Sequence, residues 1–239
     1  MHSQREAELE SLQIAALPHV IRLAWGLGAA TNRGPKPKYT TDRILGEAIR
    51  IADEDGLEGL SMASLAAPLG LAATALYRYV DSKETLIELM VDRAVGHPPS
   101  TEPSSEWSRD ARNWAVALLD AYVRHPWLSD VVVTGMPRTP NSLEWIESLL
   151  NTLAGSPLSQ SAQLSATLLL QGIVRNHAAL MRSVSSGASA ADSFMALLPA
   201  LGARAYPRLT AELQREWNNV SDEFDFAVAT VIRGLAAQG

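Results

Sequence analysis

The chain has 239 residues, of which 47% are hydrophobic and 19% are charged, and its net charge is −6 at pH 7. This length suits one large domain, or a small domain joined to a medium-sized one. Because the chain contains no cysteine, disulfides, thiol nucleophiles and zinc–thiolate sites are excluded, and a cytoplasmic location is consistent with that composition. Alanine and leucine are abundant and no segment alternates as a strand does, so the sequence predicts an all-α fold.

Residues 1–32 are predicted to form an N-terminal helical extension and arm. The apolar stretch 14–30 resembles the core of a signal peptide, but three glutamates precede it where positive charge is expected, and Pro18 and Arg22 interrupt it. It is also too short to span a bilayer, so we expect no membrane segment here. The sequence leaves open whether this extension braces the next domain, extends a dimer interface or frays.

Residues 33–97 are predicted to form a small helical domain. The segment 33–38 (RGPKPK) is an extended basic linker, because its two prolines disfavour helix at the residues before them. Thr40 is a suitable N-cap for a first helix that Gly56 ends. The residues expected on the buried face of this helix are Ile44, Leu45, Ala48, Ile51 and Ala52.

Three shorter helices are predicted to follow. One begins at Ser61 and ends at Gly70, the next spans 72–80, and Asp81 and Glu84 form a capping box for the last. Two short helices separated by a tight glycine turn are typical of a helix-turn-helix, in which the first helix braces the second in a DNA major groove. Ser61 lies at a helix N-terminus, where backbone N–H groups favour a phosphate. The side chains expected to fix the angle between the two helices are Leu65, Leu69, Leu76 and Val80.

Residues 98–239 are predicted to form a second, larger helical region after a linker over 98–105. Apolar spacing predicts a long helix from Trp107, a helix capped by Asn141, and a long apolar helix over about 160–184. Two further helices are predicted near 190–202 and from Ser221.

The sequence around the segment 57–89 resembles the tetracycline-repressor (TetR) family of bacterial regulators, with matching order and spacing of residues from Ala48 to Leu86. Residues 98–239 are similar to the branch of that family with a tetracycline-repressor-type C-terminal domain. The residues that carry the resemblance are Ala48 to Gly56, Leu60-Ser61, Leu65-Ala66, Leu69-Gly70, Ala75 to Val80, Lys83-Glu84 and Leu86, with weaker likeness at Arg33 to Pro37, His125 to Leu128 and Pro140 to Leu143.

The resemblance implies a set of DNA contacts. Tyr77 and Lys83 would contact phosphate, Tyr79 would lie close to the DNA backbone, and Ser61 would hold a phosphate. The full set of expected DNA-binding residues is Arg33, Lys36, Lys38, Ser61, Ala73, Thr74, Ala75, Tyr77, Arg78, Tyr79 and Lys83.

Three features depart from the family's pattern. Ala63 stands where relatives often carry a base-reading arginine, Pro68 lies late in its helix, and the groove-facing surface is rich in alanine. Such a surface offers few bidentate base contacts. We therefore hypothesise that the choice of operator sequence depends on the basic linker 33–38, Arg78 and DNA shape.

Candidate effector contacts in the body are aromatic residues at helical spacing and a polar run in an apolar helix. They are Trp114, Tyr122, Trp127, Trp145, Arg175, Asn176 and His177. The aromatic residues are equally consistent with a packed core, and the polar run with a solvent or dimer contact. We predict no metal and no cofactor, because no histidine or carboxylate pair has ligand spacing.

The sequence thus predicts a ligand-responsive transcriptional regulator, most simply a repressor, that binds a palindromic double-stranded DNA operator as a homodimer. The resemblance implies that the helices at 160–184 and 221–237 form the dimer interface and that the effector is a small molecule. Two alternatives stay open. One is a regulator-like protein that no longer binds DNA and binds small molecules or proteins instead, since residues 31–97 carry 8 basic and 10 acidic side chains. The other is an all-helical enzyme, against which stands the lack of any catalytic motif.

Overall fold

The computed structural model describes residues 14, 16–27, 39–100, 106–185, 206–208 and 220–238. Within these ranges the regular structure is helical and no strand occurs, which confirms the all-α prediction. The predicted basic linker at 33–38 and the predicted helix near 190–202 lie outside the described residues. None of the described helices is long and apolar enough to cross a membrane.

Contacts divide the chain into two compact units. The first comprises Met1–Pro99 with Asp130–Ser148, and the second comprises Ser100–Ser129 with Leu149–Gly239. The sequence analysis assigns 130–148 to the C-terminal region, whereas their contacts group them with the first unit. The physical reason is a set of hydrogen bonds from 138–145 to residues 88–97, which is described below.

In the first unit, helix α1 spans His19–Ala24 and helix α2 spans Thr41–Gly59. Thr40 caps α2 as predicted, since its hydroxyl oxygen accepts the backbone N–H of Arg43 at 3.2 Å. The predicted helix end at Gly56 is a break rather than a stop. There the backbone has φ 70°, which only glycine adopts without strain, and the helical turn resumes up to Gly59.

Helix α3 spans Met62–Leu69, and helix α4 spans Ala73–Leu76. The predicted helix over 72–80 is therefore wrong in its length. After Leu76 the chain continues in tight turns, with the Tyr79 N–H bonded to the Leu76 carbonyl at 2.8 Å and the Arg78 N–H to the Ala75 carbonyl at 3.3 Å. The predicted inward contacts are confirmed: Leu65, Leu69, Leu76 and Val80 are all buried.

Helix α5 spans Lys83–Val95. The predicted capping box of Asp81 and Glu84 is wrong, because Ser82 is the N-cap and its hydroxyl accepts the Thr85 N–H at 3.1 Å. Asp81 instead pairs with His19 in α1. Helices α2 and α3 pack on each other, α2 packs on α5, and α3 packs on α4, whose Leu76 is buried.

Helix α7 spans Pro140–Leu153, beginning in the first unit and ending in the second. Asn141 is not its cap, which corrects the prediction; its side chain donates to the Asp92 carbonyl at 2.9 Å. The buried Asp92 carboxylate takes the capping role from α5, because it accepts the Ser142 N–H at 3.0 Å. Proline suits the first helical position because its missing N–H is not needed there.

In the second unit, α6 spans Trp107–Arg124, a 3₁₀ turn spans Pro126–Asp130, α8 spans Gln160–Ser185 and α9 spans Val220–Ala236. Helices α6, α8 and α9 all pack against one another. Their shared core contains Trp114, Leu118, Leu170, Val174 and Val228, each at most 5% exposed.

Candidate functional site

The turn between α3 and α4 gives the first unit its helix-turn-helix. Gly70 ends α3 in the left-handed conformation, with φ 64° and ψ 34°. The Leu71 N–H bonds to the Ala66 carbonyl at 3.0 Å, which closes the helix end. The buried Tyr39 hydroxyl donates to the Leu69 carbonyl, so the residue that follows the basic linker is tied to this turn. The sequence analysis missed Tyr39, because nothing local marks a contact over 30 residues.

Ser61 sets the start of α3. Its hydroxyl accepts the Ser64 N–H at 3.0 Å, and the Ser64 hydroxyl accepts the Ser61 N–H at 2.8 Å. This reciprocal capping box satisfies two backbone donors and leaves the remaining first-turn N–H groups directed out of the helix. Ser61 is itself exposed, so the helix end is accessible to an anion.

The residues expected to contact DNA differ in exposure. Thr74, Tyr77 and Arg78 are exposed, with Tyr77 at 51%, although large aromatic side chains are usually buried. Ala73, Ala75, Tyr79 and Lys83 are half-buried. Arg33, Lys36 and Lys38 lie outside the described residues.

The cations of the first unit fall into two groups. Arg50 pairs with Glu47 and Glu54 on its own helix, and Arg93 pairs with Asp42 at 2.9 Å. Among the described residues Arg78 forms no salt bridge, whereas Lys83 interacts electrostatically with the neighbouring Glu84 carboxylate. Arg78 therefore places positive charge without a salt-bridge partner beside α4, in a chain whose net charge is negative.

The departures from the family's pattern are visible in α3. Ala63 is exposed and carries no hydrogen-bonding group. Pro68 is exposed and α3 continues through it to Leu69, so the lost backbone donor falls in the last turn of the helix.

In the second unit, a polar group lies where α6, α8 and the 3₁₀ turn meet. Arg175 donates to the Ser129 carbonyl at 3.2 Å. Burial raises the pKa of the Tyr122 hydroxyl, and the nearby positive charge of Arg175 opposes that shift. The phenol therefore stays protonated at neutral pH. Trp114 and Trp127 are 5% and 1% exposed and belong to the packed core around this group.

A cleft of about 430 Å³ lies between α8 and α9. Of the expected effector contacts, Asn176 and His177 line it. Burial lowers the pKa of His177, although the Glu223 carboxylate acts in the opposite direction, so the imidazole is neutral at pH 7. Its ring lies 4.9 Å from the ring of Phe224. The cleft is lined by Leu168, Leu169, Gly172, Ile173, Asn176, His177, Leu180, Glu223, Phe224 and Ala227.

The structure does not bring the seven expected effector contacts together. Trp145 lies in the first unit, where its buried indole N–H donates to the Gly96 carbonyl at 2.9 Å. Glu223, by contrast, lines the cleft and was not singled out from the sequence, because one acidic residue near a helix start has the pattern of a solvated end. No cluster of three His, Cys, Asp or Glu side chains suited to a metal occurs among the described residues.

Comparison with known families gives two matches that together span most of the chain. Residues 44–90 match the family described as "Bacterial regulatory proteins, tetR family". Residues 98–238 match "Tetracyclin repressor-like, C-terminal domain".

Individual relatives agree with these matches. The chain is 30% identical to the HTH-type transcriptional repressor DrrR1 of Streptomyces coeruleorubidus over 97% of this chain and 90% of the repressor. Its fold is similar to that of the TetR family protein ActR of Streptomyces coelicolor in complex with actinorhodin, with a TM-score of 0.72, 25% identity and coverage of 85% and 98% of the two chains. The fold of BioQ bound to its DNA operator is also similar, with a TM-score of 0.60, 18% identity and coverage of 84% and 99%.

The matched family and its relatives are transcriptional regulators and not enzymes, which removes the enzymatic alternative. They also favour a DNA-binding protein over a regulator-like fold that has lost DNA binding. With its capped helix-turn-helix and its helical second unit, the chain belongs to the TetR family of DNA-binding transcriptional regulators.

Proposed function

We propose that this regulator is a ligand-responsive repressor that binds a palindromic operator as a homodimer in the bacterial cytoplasm. In this proposal residues 33–97 bind DNA, residues 98–239 bind the effector and the second copy, and residues 1–32 form an N-terminal extension. The observation that carries the proposal is the exposed polar and aromatic surface of the helix-turn-helix, at Thr74, Tyr77 and Arg78, on a buried apolar support.

The DNA contact follows from that surface. A major groove accepts one helix, and α4 with its following turns would enter it while α3 braces on the DNA backbone. Arg78 can donate two hydrogen bonds to a guanine, and Thr74 can reach a base edge or a thymine methyl. Tyr77, Lys83 and the start of α3 at Ser61 would meet phosphates.

The dimer follows from the second unit. Helices α8 and α9 pack on each other and still expose large apolar side chains that a soluble monomer rarely leaves uncovered in one patch. A second copy related by two-fold symmetry would cover this face with its own α8 and α9 in a four-helix arrangement. These side chains are Leu164 on α8 and Phe226 on α9, which are 39% and 70% exposed; Leu168 and Leu169 are also exposed but line the cleft between the two helices.

The effector proposal is supported by the cleft between α8 and α9. A neutral imidazole, the Asn176 amide and the Phe224 ring line it together with apolar side chains. With the Glu223 carboxylate, such a lining suits a largely aromatic molecule with a few hydrogen-bonding groups, at least one of them a donor. Trp114, Tyr122, Trp127 and Arg175 would then act from the core of the second unit, whereas Trp145, which lies in the first unit, is not part of the proposed site. ActR is solved in complex with actinorhodin, which makes that compound a sensible first probe.

The test is a footprint on the DNA upstream of the protein's own gene, followed by addition of the probe. We expect protection of an approximate palindrome with half-sites about 34 Å apart, one turn of DNA. Loss of protection on adding actinorhodin supports the effector class. Protection that persists with every aromatic probe contradicts ligand response through this cleft, and no protected site contradicts the DNA-binding proposal.

A further inference from the structure

The N-terminal segment 16–27 belongs to the same compact unit as the helix-turn-helix. Helix α1 lies against α5, and its Val20 is 6% exposed. Two side-chain hydrogen bonds attach the segment to the rest of the unit, one from each end of α1. His19 Nδ1 lies 2.8 Å from Asp81 Oδ1, and Trp25 Nε1 donates to the Arg138 carbonyl at 2.8 Å.

The second of these attachments is itself anchored to α5. The Arg138 guanidinium donates to both carboxylate oxygens of Glu88, at 3.2 and 2.8 Å. A bidentate pair of this kind has a fixed geometry. The segment is thus held by residues on either side of the turn that leads into α5.

Asp81 occupies a sensitive position in that turn. It follows the fully buried Val80 and precedes Ser82, the N-cap of α5. The recognition segment 73–79 ends two residues before Asp81, and α5 begins two residues after it, at Lys83. A restraint on Asp81 therefore restrains how the recognition segment joins the rest of the unit.

The negative charge of Asp81 is a second reason why its orientation matters for DNA binding. Its side chain is 56% exposed and lies between residues expected at the phosphate backbone, which would repel a loose carboxylate. A hydrogen bond from His19 orients this carboxylate toward α1. The imidazole can donate through Nδ1 either as the neutral ring or as the protonated ring.

We propose that His19 is a positioning residue for operator binding. By donating to Asp81 it fixes the turn between the recognition segment and α5. The segment 16–27 thereby contributes to the operator affinity of the DNA-binding unit. The inference rests on the proposed operator binding and adds a residue remote from the DNA surface.

The test compares operator affinity for the full-length protein and its variants by fluorescence anisotropy. We expect His19→Ala to weaken operator binding about three- to fivefold, near the upper value of an exposed ion pair. His19→Asn, which keeps a donor near the Nδ1 position, restores most of that affinity. In an Asp81→Ala background, His19→Ala has no further effect, because the partner is already gone.

A matched control exists in the same unit. His97 lies 2.6 Å from Glu144 in a comparable exposed pair that is not next to the recognition segment. We expect His97→Ala to leave operator affinity unchanged. Equal losses for the two alanine variants would overturn the proposal, since they would indicate a general effect of removing a histidine.

A second readout does not depend on DNA. In hydrogen–deuterium exchange, His19→Ala should speed exchange of the amides in 77–85 while those in the core of α2 stay protected. If the wild type binds its operator and His19→Ala changes neither affinity nor exchange, the positioning role is wrong while the proposed function stands. If the wild type binds no operator, both are wrong.

Discussion

Arg78 and Lys83 lie on either side of the buried Val80, and they are expected to contact different parts of the operator. Arg78 is exposed beside α4 and can reach base edges, whereas Lys83 begins α5 and faces the phosphate backbone by family resemblance. A base contact sets which sequence is bound, while a phosphate contact adds affinity for any sequence. Removal of each side chain should therefore have a different effect, one on sequence selectivity and the other on DNA affinity in general.

We predict that Arg78→Ala costs roughly 1–3 kcal/mol of operator binding and relaxes sequence preference at one position of each half-site. Lys83→Ala should weaken binding to operator and random DNA alike and reduce the salt slope by about one. Competition binding with single-base operator variants measures both effects. Arg124→Ala, which removes an exposed cation at the end of α6, is the control. A loss with Arg78→Ala that is equal for all sequences would contradict base reading.

His177 is expected to make the free energy of unfolding depend on pH. Its imidazole is buried against Phe224, and that burial lowers its pKa below the ordinary value of about 6.5. As pH falls below about 6.5, the unfolded chain binds a proton that the folded chain resists, so the free energy of unfolding decreases. Above that pH the neutral ring contributes its full stability.

We predict that His177→Gln flattens this dependence. Denaturant unfolding of the wild type and the variant between pH 8 and pH 5 measures it, and the difference between the two curves isolates His177 because all other histidines are shared. The wild type should lose more stability than the variant on acidification. Parallel curves would show that His177 titrates alike in the folded and unfolded chain.

At the scale of elements, the start of α3 combines two roles that one substitution can separate. The Ser61 hydroxyl caps the helix, and the same helix end is expected to meet a phosphate. Ser61→Ala removes the cap and should lower stability by about 1 kcal/mol. Ser61→Asp keeps a capping oxygen but places negative charge toward the DNA.

We therefore predict that Ser61→Asp unfolds near the wild-type temperature yet binds the operator much more weakly, while Ser61→Ala loses stability. Thermal unfolding and anisotropy titrations on the same samples separate the roles. Undiminished operator binding by a folded Ser61→Asp protein would exclude a phosphate at this helix end.

Comparison of the helix starts shows what the sequence could predict. Thr40 was predicted as a cap and Ser61 as a helix start, and each accepts a backbone N–H three residues away, so the signal is local. Ser82, not Asp81, caps α5, since Asp81 is engaged by His19 from 62 residues away. Asn141 was misassigned for the same reason, because Asp92 from α5 caps that helix.

The two candidate sites differ in the same way. The helix-turn-helix is a contiguous stretch with a recognisable order of residues, so its buried supports Leu65, Leu69, Leu76 and Val80 followed from spacing. The cleft is assembled from α8 and α9, which are far apart in the chain. Helical spacing alone could not tell that Asn176 and His177 line this cleft, or that Trp127 is core.

At the scale of the whole molecule, the exposed apolar face of α8 and α9 is expected to hold two copies together. Phe226 is 70% exposed within α9, whereas Phe224 and Val228 of the same helix are buried. Burying such an aromatic side chain at an interface stabilises association by roughly 1.5–3 kcal/mol. A charge at this position would oppose the contact in both protomers at once.

We predict that Phe226→Glu shifts the protein from dimer to monomer and abolishes tight operator binding. Light scattering after gel filtration and a binding titration measure the two losses. Val132→Glu is the matched control, because Val132 is 77% exposed and belongs to the first unit, whereas α8 and α9 belong to the second. A dimeric Phe226→Glu protein would place the interface elsewhere.

The proposed function requires an acidic chain to bind DNA as a dimer through a local cationic surface. The most direct test is binding of the purified protein to its own upstream DNA, titrated against salt and with stoichiometry determined. We predict sequence-selective binding by two protomers per palindrome that weakens steeply as salt rises, since each neutralised phosphate releases a counterion. Binding no tighter than to random DNA at low salt would contradict the account.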